Sequence, residues 1–227
     1  MKILASDFDN TIYISDKKKF QKNIEFIHHF KEKQNLFIII TGRQYSDILP
    51  LLKMYNIPYD YLICGDGASV YNEENQLIKE ILLDIEEINK IIKYAKQLEL
   101  PFFLDDGKSF GSSKDKCVKV AIPLSNSEKN KKMIDYLNKL DLHVYLSENW
   151  INITDKNANK YDAIKWILSY LKTDEDSIYC IGDGINDKEM LKQFNGVLVS
   201  DHHESLAGLN LKKHDHFYQY IEELVKD

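Results

Sequence analysis

The chain has 227 residues, room for one large domain or two small ones, and its 44% hydrophobic and 29% charged content suits a soluble body with a real core. A net charge of −6 speaks against a nucleic-acid partner. No apolar run approaches the roughly 20 residues of a membrane span, and Asp7 and Asp9 interrupt the first apolar run before it could act as a signal peptide, so a cytoplasmic protein is expected.

In chain order, near-continuously apolar runs at 2–8, 36–41, 61–64, 177–181 and 197–200 read as strands of a parallel sheet covered on both faces. Helical patterns at 22–33, 45–55, 161–171 and 187–194 lie between them, so the class is α/β with right-handed crossovers. The middle differs. A helix at 84–98, strands at 102–105 and 117–123, a helix at 128–140 and strands at 143–146 and 150–154 give the order αββαββ, with more alternation along the strands. This reads as an α+β module inserted over 81–153 into a core formed by 1–80 and 154–227. The module's aromatics, Phe102, Phe103, Tyr136, Tyr145 and Trp150, read mostly as its own core, and its 105–116 loop as the part able to touch a ligand. Cys64, Cys117 and Cys180 are odd in number and widely spaced, which predicts buried thiols rather than a disulfide frame or a zinc site.

Open α/β sheets bind ligands at the carboxyl ends of their strands. Here the first strand ends in "DFDNT", Asp7 to Thr11, and the second in Thr41-Gly42-Arg43. The third ends in "CGDGAS" around Asp66, and the strand after the module runs into "IGDGINDKEM", with Asp183, Asn186 and Asp187. Of the 30 basic residues only Arg43 is an arginine, the residue whose planar fork suits phosphate or carboxylate. Lys160 falls on the apolar stripe of its helix with Ile164 and Ile167, and a lysine is seldom buried unless paired. Burying two neighbouring carboxylates is costly unless a lysine and a divalent cation neutralise them. Asp7, Asp9, Asp183 and Asp187 offer hard oxygen ligands without Cys or His, a set that suits Mg²⁺ and hence phosphate chemistry. A calcium loop of the EF-hand kind is excluded, because Ile12 stands where it needs glycine and Lys18 where it needs glutamate. The histidines at 202, 203, 214 and 216 lack ligand spacing and read as solvated loop residues.

Taken together, DxD-T, TGR, the helical lysine and GDGxND resemble the haloacid dehalogenase-like (HAD) superfamily, and within it the Cof-type and sugar-phosphate phosphatase branch. The resemblance spans essentially the whole chain, and the αββαββ module is similar to that branch's smaller cap. It implies a Rossmann-like core, a mobile cap and Mg²⁺-dependent hydrolysis of a small soluble phosphate monoester, such as a sugar or polyol phosphate, by a monomer or homodimer. By the resemblance, Asp7 is the nucleophile that becomes aspartyl-phosphate, and Asp9 the general acid and then base. Thr41 donates a hydrogen bond to the phosphate, and Lys160 holds Asp7 and the phosphate together; Gly42 and, by its fork, Arg43 are expected beside the substrate. Asp183 is the metal ligand, joined by Asp7 and the backbone carbonyl of Asp9, while Asn186 and Asp187 hold the metal's waters. Three positions depart from the pattern. Asn10 replaces the commoner glycine, Tyr161 follows Lys160 where glycine is frequent, and Asp66 stands where many relatives have asparagine. A carboxylate at 66 disfavours a second phosphate on the substrate, or else caps the turn. Two other functions share these groups: a phosphomutase using the same aspartyl-phosphate, and a receiver-type signalling domain, which is shorter and lacks a proton donor at the place of Asp9.

Overall fold

The structure is a computed structural model and describes residues 1–108, 110–111, 113–147 and 149–226, without the side chains of 110 and 111. Ser109 and Ser112 of the 105–116 loop thus lie outside the described residues.

Strand β1 (Ile3–Asp7) is buried along its whole length because it lies inside the main sheet, parallel to β2 (Leu36–Ile40) on one side and β11 (Ile178–Gly182) on the other. Parallel pairing continues from β2 to β3 (Tyr61–Cys64), and from β11 to β12 (Asn195–Val199) and β13 (Lys213–His214). An antiparallel hairpin, β4 (Ser69–Asn72) and β5 (Leu77–Glu80), extends the sheet past β3, giving the order β13-β12-β11-β1-β2-β3-β4-β5. Alternate residues of the inner strands feed two separate cores, which is why their sequence is apolar throughout. Leu4 and Ile39 pack with helices α1 (Lys17–Glu32), α2 (Tyr45–Met54) and α7 (Phe217–Lys226). Ile3, Ala5, Ile38 and Ile40 pack with α5 (Lys160–Leu171) and α6 (Lys188–Gln193). The Asp16 carboxylate starts α1 by accepting the Lys18 and Lys19 N–H groups.

Between β5 and α5 the chain builds a second, antiparallel sheet from β6 (Phe103–Asp105), β7 (Phe110–Gly111), β8 (Lys119–Pro123), β9 (Leu142–Ser147) and β10 (Trp150–Asp155), in the order β7-β6-β8-β10-β9. Helices α3 (Ile85–Gln97) and α4 (Ser127–Leu137) cover one face, through Ile88, Ile91, Val120, Ile122, Ile151 and Ile153. The opposite face carries Asp105, Lys119, Tyr145 and Asn152, and it meets the main sheet. A small cluster of Ala68, Val118 and Ala158, with Ile81 against it, ties the outgoing and returning crossings together.

The helix expected at 187–194 is α6, preceded by a 3₁₀ turn (Ile185–Asp187). Other elements differ from expectation: the order αββαββ gains the two-residue β7, and the β4–β5 hairpin and α7 were not anticipated. Tyr145 does not belong to the module's core, and Phe103 is largely exposed. His214 lies in a strand and is mostly buried rather than solvated in a loop. All three cysteines are buried free thiols, and no helix among the described residues is long and apolar enough to cross a membrane.

One glycine sets where α5 begins. Gly67 has φ 117°, and a Cβ there would stand 2.3 Å from the Asn159 carbonyl oxygen. Asn159 caps α5, so this approach also fixes Lys160. Gly67→Ala is expected to cost at least about 1–3 kcal/mol, the scale of overpacking, read as a lower melting temperature.

Candidate active site

After Asp7 the chain turns sharply. Ile12 and Tyr13 both donate to the Phe8 carbonyl, at 3.0 and 2.8 Å, and Asn10 sits at φ 58°. Asparagine tolerates this left-handed conformation better than most residues with a side chain, which accounts for Asn10 in place of glycine. The turn presents Thr11, whose hydroxyl donates to Asp183 Oδ1 at 2.9 Å.

The loop after β11 is held by Asp187, which is fully buried. Its Oδ2 accepts the Asp183 and Gly184 N–H groups at 3.0 and 2.8 Å, and its Oδ1 faces Lys160 Nζ at 2.6 Å. Lys160 is buried as the stripe predicted. Its ammonium also meets Asp7 Oδ1 at 2.5 Å and lies 3.8 Å from Asp66 Oδ1. Burial opposes the lysine's charge, but Asp187, Asp7 and Asp66 hold its pKa well above the ordinary value. Burial pushes the Asp7 carboxyl well above the usual carboxylate range; Lys160 opposes this, and Asp187 and Asp183 add to it. Asp183 is pushed up to about 6 by burial and then by Asp187, against the Thr11 hydrogen bond.

This acidic excess fits a divalent cation. Asp7, Asp183 and Asp187 each offer a carboxylate oxygen, and these lie within 4.8 Å of one another. More carboxylates converge than the single lysine can neutralise, and every donor is a hard oxygen.

The Asp9 carboxylate is not part of that cluster. It takes the fork of Arg43, with Nε at 2.8 Å and Nη2 at 2.6 Å. Arg43, expected on substrate, is thus placed on Asp9, with its guanidinium over the Phe8 and Tyr13 rings. Thr41 is buried, its Oγ1 accepts the Arg43 N–H at 3.1 Å, and its carbonyl accepts the Asp66 N–H at 3.0 Å. The second and third strand ends are therefore stitched together.

Asp66 is buried at φ 54°. Its Oδ1 accepts Asn186 Nδ2 at 2.7 Å, and its Oδ2 accepts the phenol of Tyr145. Asn186, expected among a metal's waters, therefore gives its amide to Asp66. Gly42 allows this arrangement, because a Cβ there would stand 2.7 Å from Asp66 Oδ2.

Sequence reasoning missed two residues, both from the smaller sheet. Tyr145 reaches Asp66, and Lys119, also buried, donates to the Gly42 carbonyl at 3.0 Å and lies 3.5 Å from Asp105 Oδ2. Their signal was alternation: Lys119 and Tyr145 point opposite to Val120 and Val144.

A cavity of about 590 Å³ opens beside these groups, between β9 and the start of α5, lined among others by His143, Tyr145, Asn159, Lys160, Tyr161 and Asn186. A second depression of about 510 Å³ at β13 and α7 contains none of the motif residues.

The family model for haloacid dehalogenase-like hydrolases matches residues 4–144 and 112–210. A protein of Mycoplasma capricolum is 29% identical over 233 aligned residues, covering 85% of this chain and 88% of its own. The HMP-PP phosphatase of Yersinia pseudotuberculosis is 21% identical over 228, covering 87% of this chain and 83% of its own. A solved HAD subclass IIB sugar phosphatase has the same fold, with a TM-score of 0.83 at 16% identity and 99% of both chains covered.

Proposed function

Because the chain belongs to the haloacid dehalogenase-like hydrolases, we propose that it is a Mg²⁺-dependent phosphatase that hydrolyses a small soluble phosphate monoester through an aspartyl-phosphate on Asp7. Lys160, buried between Asp7 and Asp187 at 2.5 and 2.6 Å, carries this reading. A dianionic phosphate approaching a carboxylate nucleophile needs such preorganised positive charge. The cavity beside Lys160 has the size of a small-ligand site. The phosphatase named among the relatives and the sugar phosphatase among the structures favour a small phosphate ester such as a sugar phosphate.

In the proposed reaction Asp7 attacks phosphorus and the ester P–O bond breaks. Asp9, which takes up a proton once the substrate phosphate has drawn the Arg43 fork away, gives it to the leaving alkoxide. Asp9 then takes a proton from water, which attacks the aspartyl-phosphate, releases inorganic phosphate and regenerates Asp7. Thr41 donates its hydroxyl to a phosphate oxygen, and Lys160 keeps Asp7 and the phosphate in contact. The fork of Arg43 holds Asp9 until a substrate phosphate competes for it. Asp7, Asp183 and the Asp9 carbonyl would hold Mg²⁺, which when bound neutralises charge on the phosphate oxygens. Asp187 braces that loop through its backbone contacts.

The test is phosphate release from a panel of esters, with and without Mg²⁺. Release that requires Mg²⁺ is expected, and Asp183→Ala should raise the half-activating Mg²⁺ concentration by about tenfold or more. Unchanged half-activation in that variant removes Asp183 from the metal site. No release from any ester defeats the phosphatase reading.

A further inference from the structure

We propose that Asp66 is a positioning residue that couples closure of the smaller sheet to the loop carrying Asp183 and Asp187. The catalytic consequence rests on the phosphatase reading above; the coupling itself does not.

The contacts form one line across the junction. Tyr145 lies on β9, in register with Asn152 of β10, on the face turned from the module's helices. Its phenol donates to Asp66 Oδ2, and the other Asp66 oxygen accepts the Asn186 amide at 2.7 Å. Burial, and then the Asp66 carboxylate, keep the Tyr145 phenol protonated far above its ordinary pKa, so it stays a donor. Asn186 precedes Asp187, which fastens the Asp183 and Gly184 N–H groups and Lys160. A carboxylate accepts both donors at once, one on each oxygen.

The geometry also limits where Asp66 can go. Oδ2 lies against the bare Cα of Gly42, in the strand end that holds Thr41. The backbone of Asp66 hydrogen-bonds the Thr41 carbonyl at 3.0 Å. With the smaller sheet in place, the side chain is enclosed by Gly42, Tyr145 and Asn186. Withdrawal of Tyr145 would leave a buried carboxylate oxygen without its side-chain donor. The side chain would then reorient, and its hold on Asn186 would loosen.

The experiment uses the full chain with two conservative variants, Tyr145→Phe and Asp66→Asn. Backbone amide exchange is followed at Leu142–Ser147 and at residues 183, 184 and 187, beside steady-state hydrolysis of para-nitrophenyl phosphate. Tyr145→Phe should speed exchange in both segments and lower kcat, each by roughly tenfold, with KM changed less than about twofold. Asp66→Asn should keep exchange in both segments within about threefold of the parent, because its oxygen can accept from Asn186 while its amide donates to the hydroxyl oxygen of Tyr145. The proposal is overturned if Tyr145→Phe speeds exchange at Leu142–Ser147 alone and leaves the acidic loop and kcat unchanged. It is also overturned if Asp66→Asn speeds exchange in the two segments as much as Tyr145→Phe does, since charge rather than the bridge would then matter. If the parent protein hydrolyses no ester, the phosphatase reading falls and the two exchange rates alone decide the coupling.

Discussion

Asp7→Asn should abolish phosphate release while the protein stays folded. The amide is close in size to the carboxylate and can still accept from Lys160, so the packing around β1 is kept. It is a poor nucleophile, however, and no aspartyl-phosphate can form on it. The expected loss is on the order of a millionfold in kcat, the scale seen when an enzyme's nucleophile is removed. The unfolding midpoint should not fall. Lys160 keeps Asp187 at 2.6 Å and Asp66 at 3.8 Å, and the site carries one buried negative charge fewer. Stopped phosphate-release assays beside urea unfolding check both halves. Substantial turnover from a normally folded Asp7→Asn protein would take Asp7 out of its assigned role.

Lys160→Met should damage stability and activity together. Methionine fills similar space but leaves Asp7, Asp187 and Asp66 without their shared cation. Breaking a buried ion pair from one side typically costs about 3–5 kcal/mol, because the remaining charge stays desolvated. The loss should be largest in metal-free buffer and smaller with Mg²⁺, since a cation bound only to the folded state stabilises it by mass action. Denaturant unfolding with EDTA and with Mg²⁺ measures the difference. A variant as stable as the parent in EDTA would mean that the acids do not depend on this lysine. Phosphate release should fall far below the parent in either buffer, because the charge facing the substrate's dianion is gone.

The inner strands were legible because both their faces are covered, so their sequence needs no alternation and stands out as "LFIII" or "ILAS". The β4–β5 hairpin was not, since each strand has only four residues and β5, at the sheet edge, is exposed or half-buried throughout. Helix α7 was overlooked although Phe217, Tyr220, Ile221 and Leu224 fall at helical spacing, a signal lost among neighbouring charges. In the site, Asp7, Lys160, Asp183 and Asp187 were readable from strand ends and one stripe, and they meet in space. Residues whose partner comes from the other sheet were not readable. Nothing local says that Tyr145 ends on Asp66 or Lys119 on the Gly42 carbonyl, because docking of two sheets is a tertiary event. The lone Arg43 was singled out for its fork as a substrate contact, but sequence could not tell that its partner here is Asp9.

The contact between Gly42 and Asp66 has a consequence for how this chain can change over generations. With Asp66 Oδ2 only 2.7 Å from where a Cβ at 42 would stand, any larger residue at 42 displaces the Asp66 carboxylate from its present seat. The left-handed backbone at 66 in turn favours glycine, asparagine or aspartate there. The two positions are therefore inherited as one character. A lineage that acquires alanine at 42 must turn the Asp66 carboxylate aside or shorten residue 66, and either change disturbs the seat for Tyr145. Drift at one of these sites should leave its trace at the other two, although they are far apart in sequence.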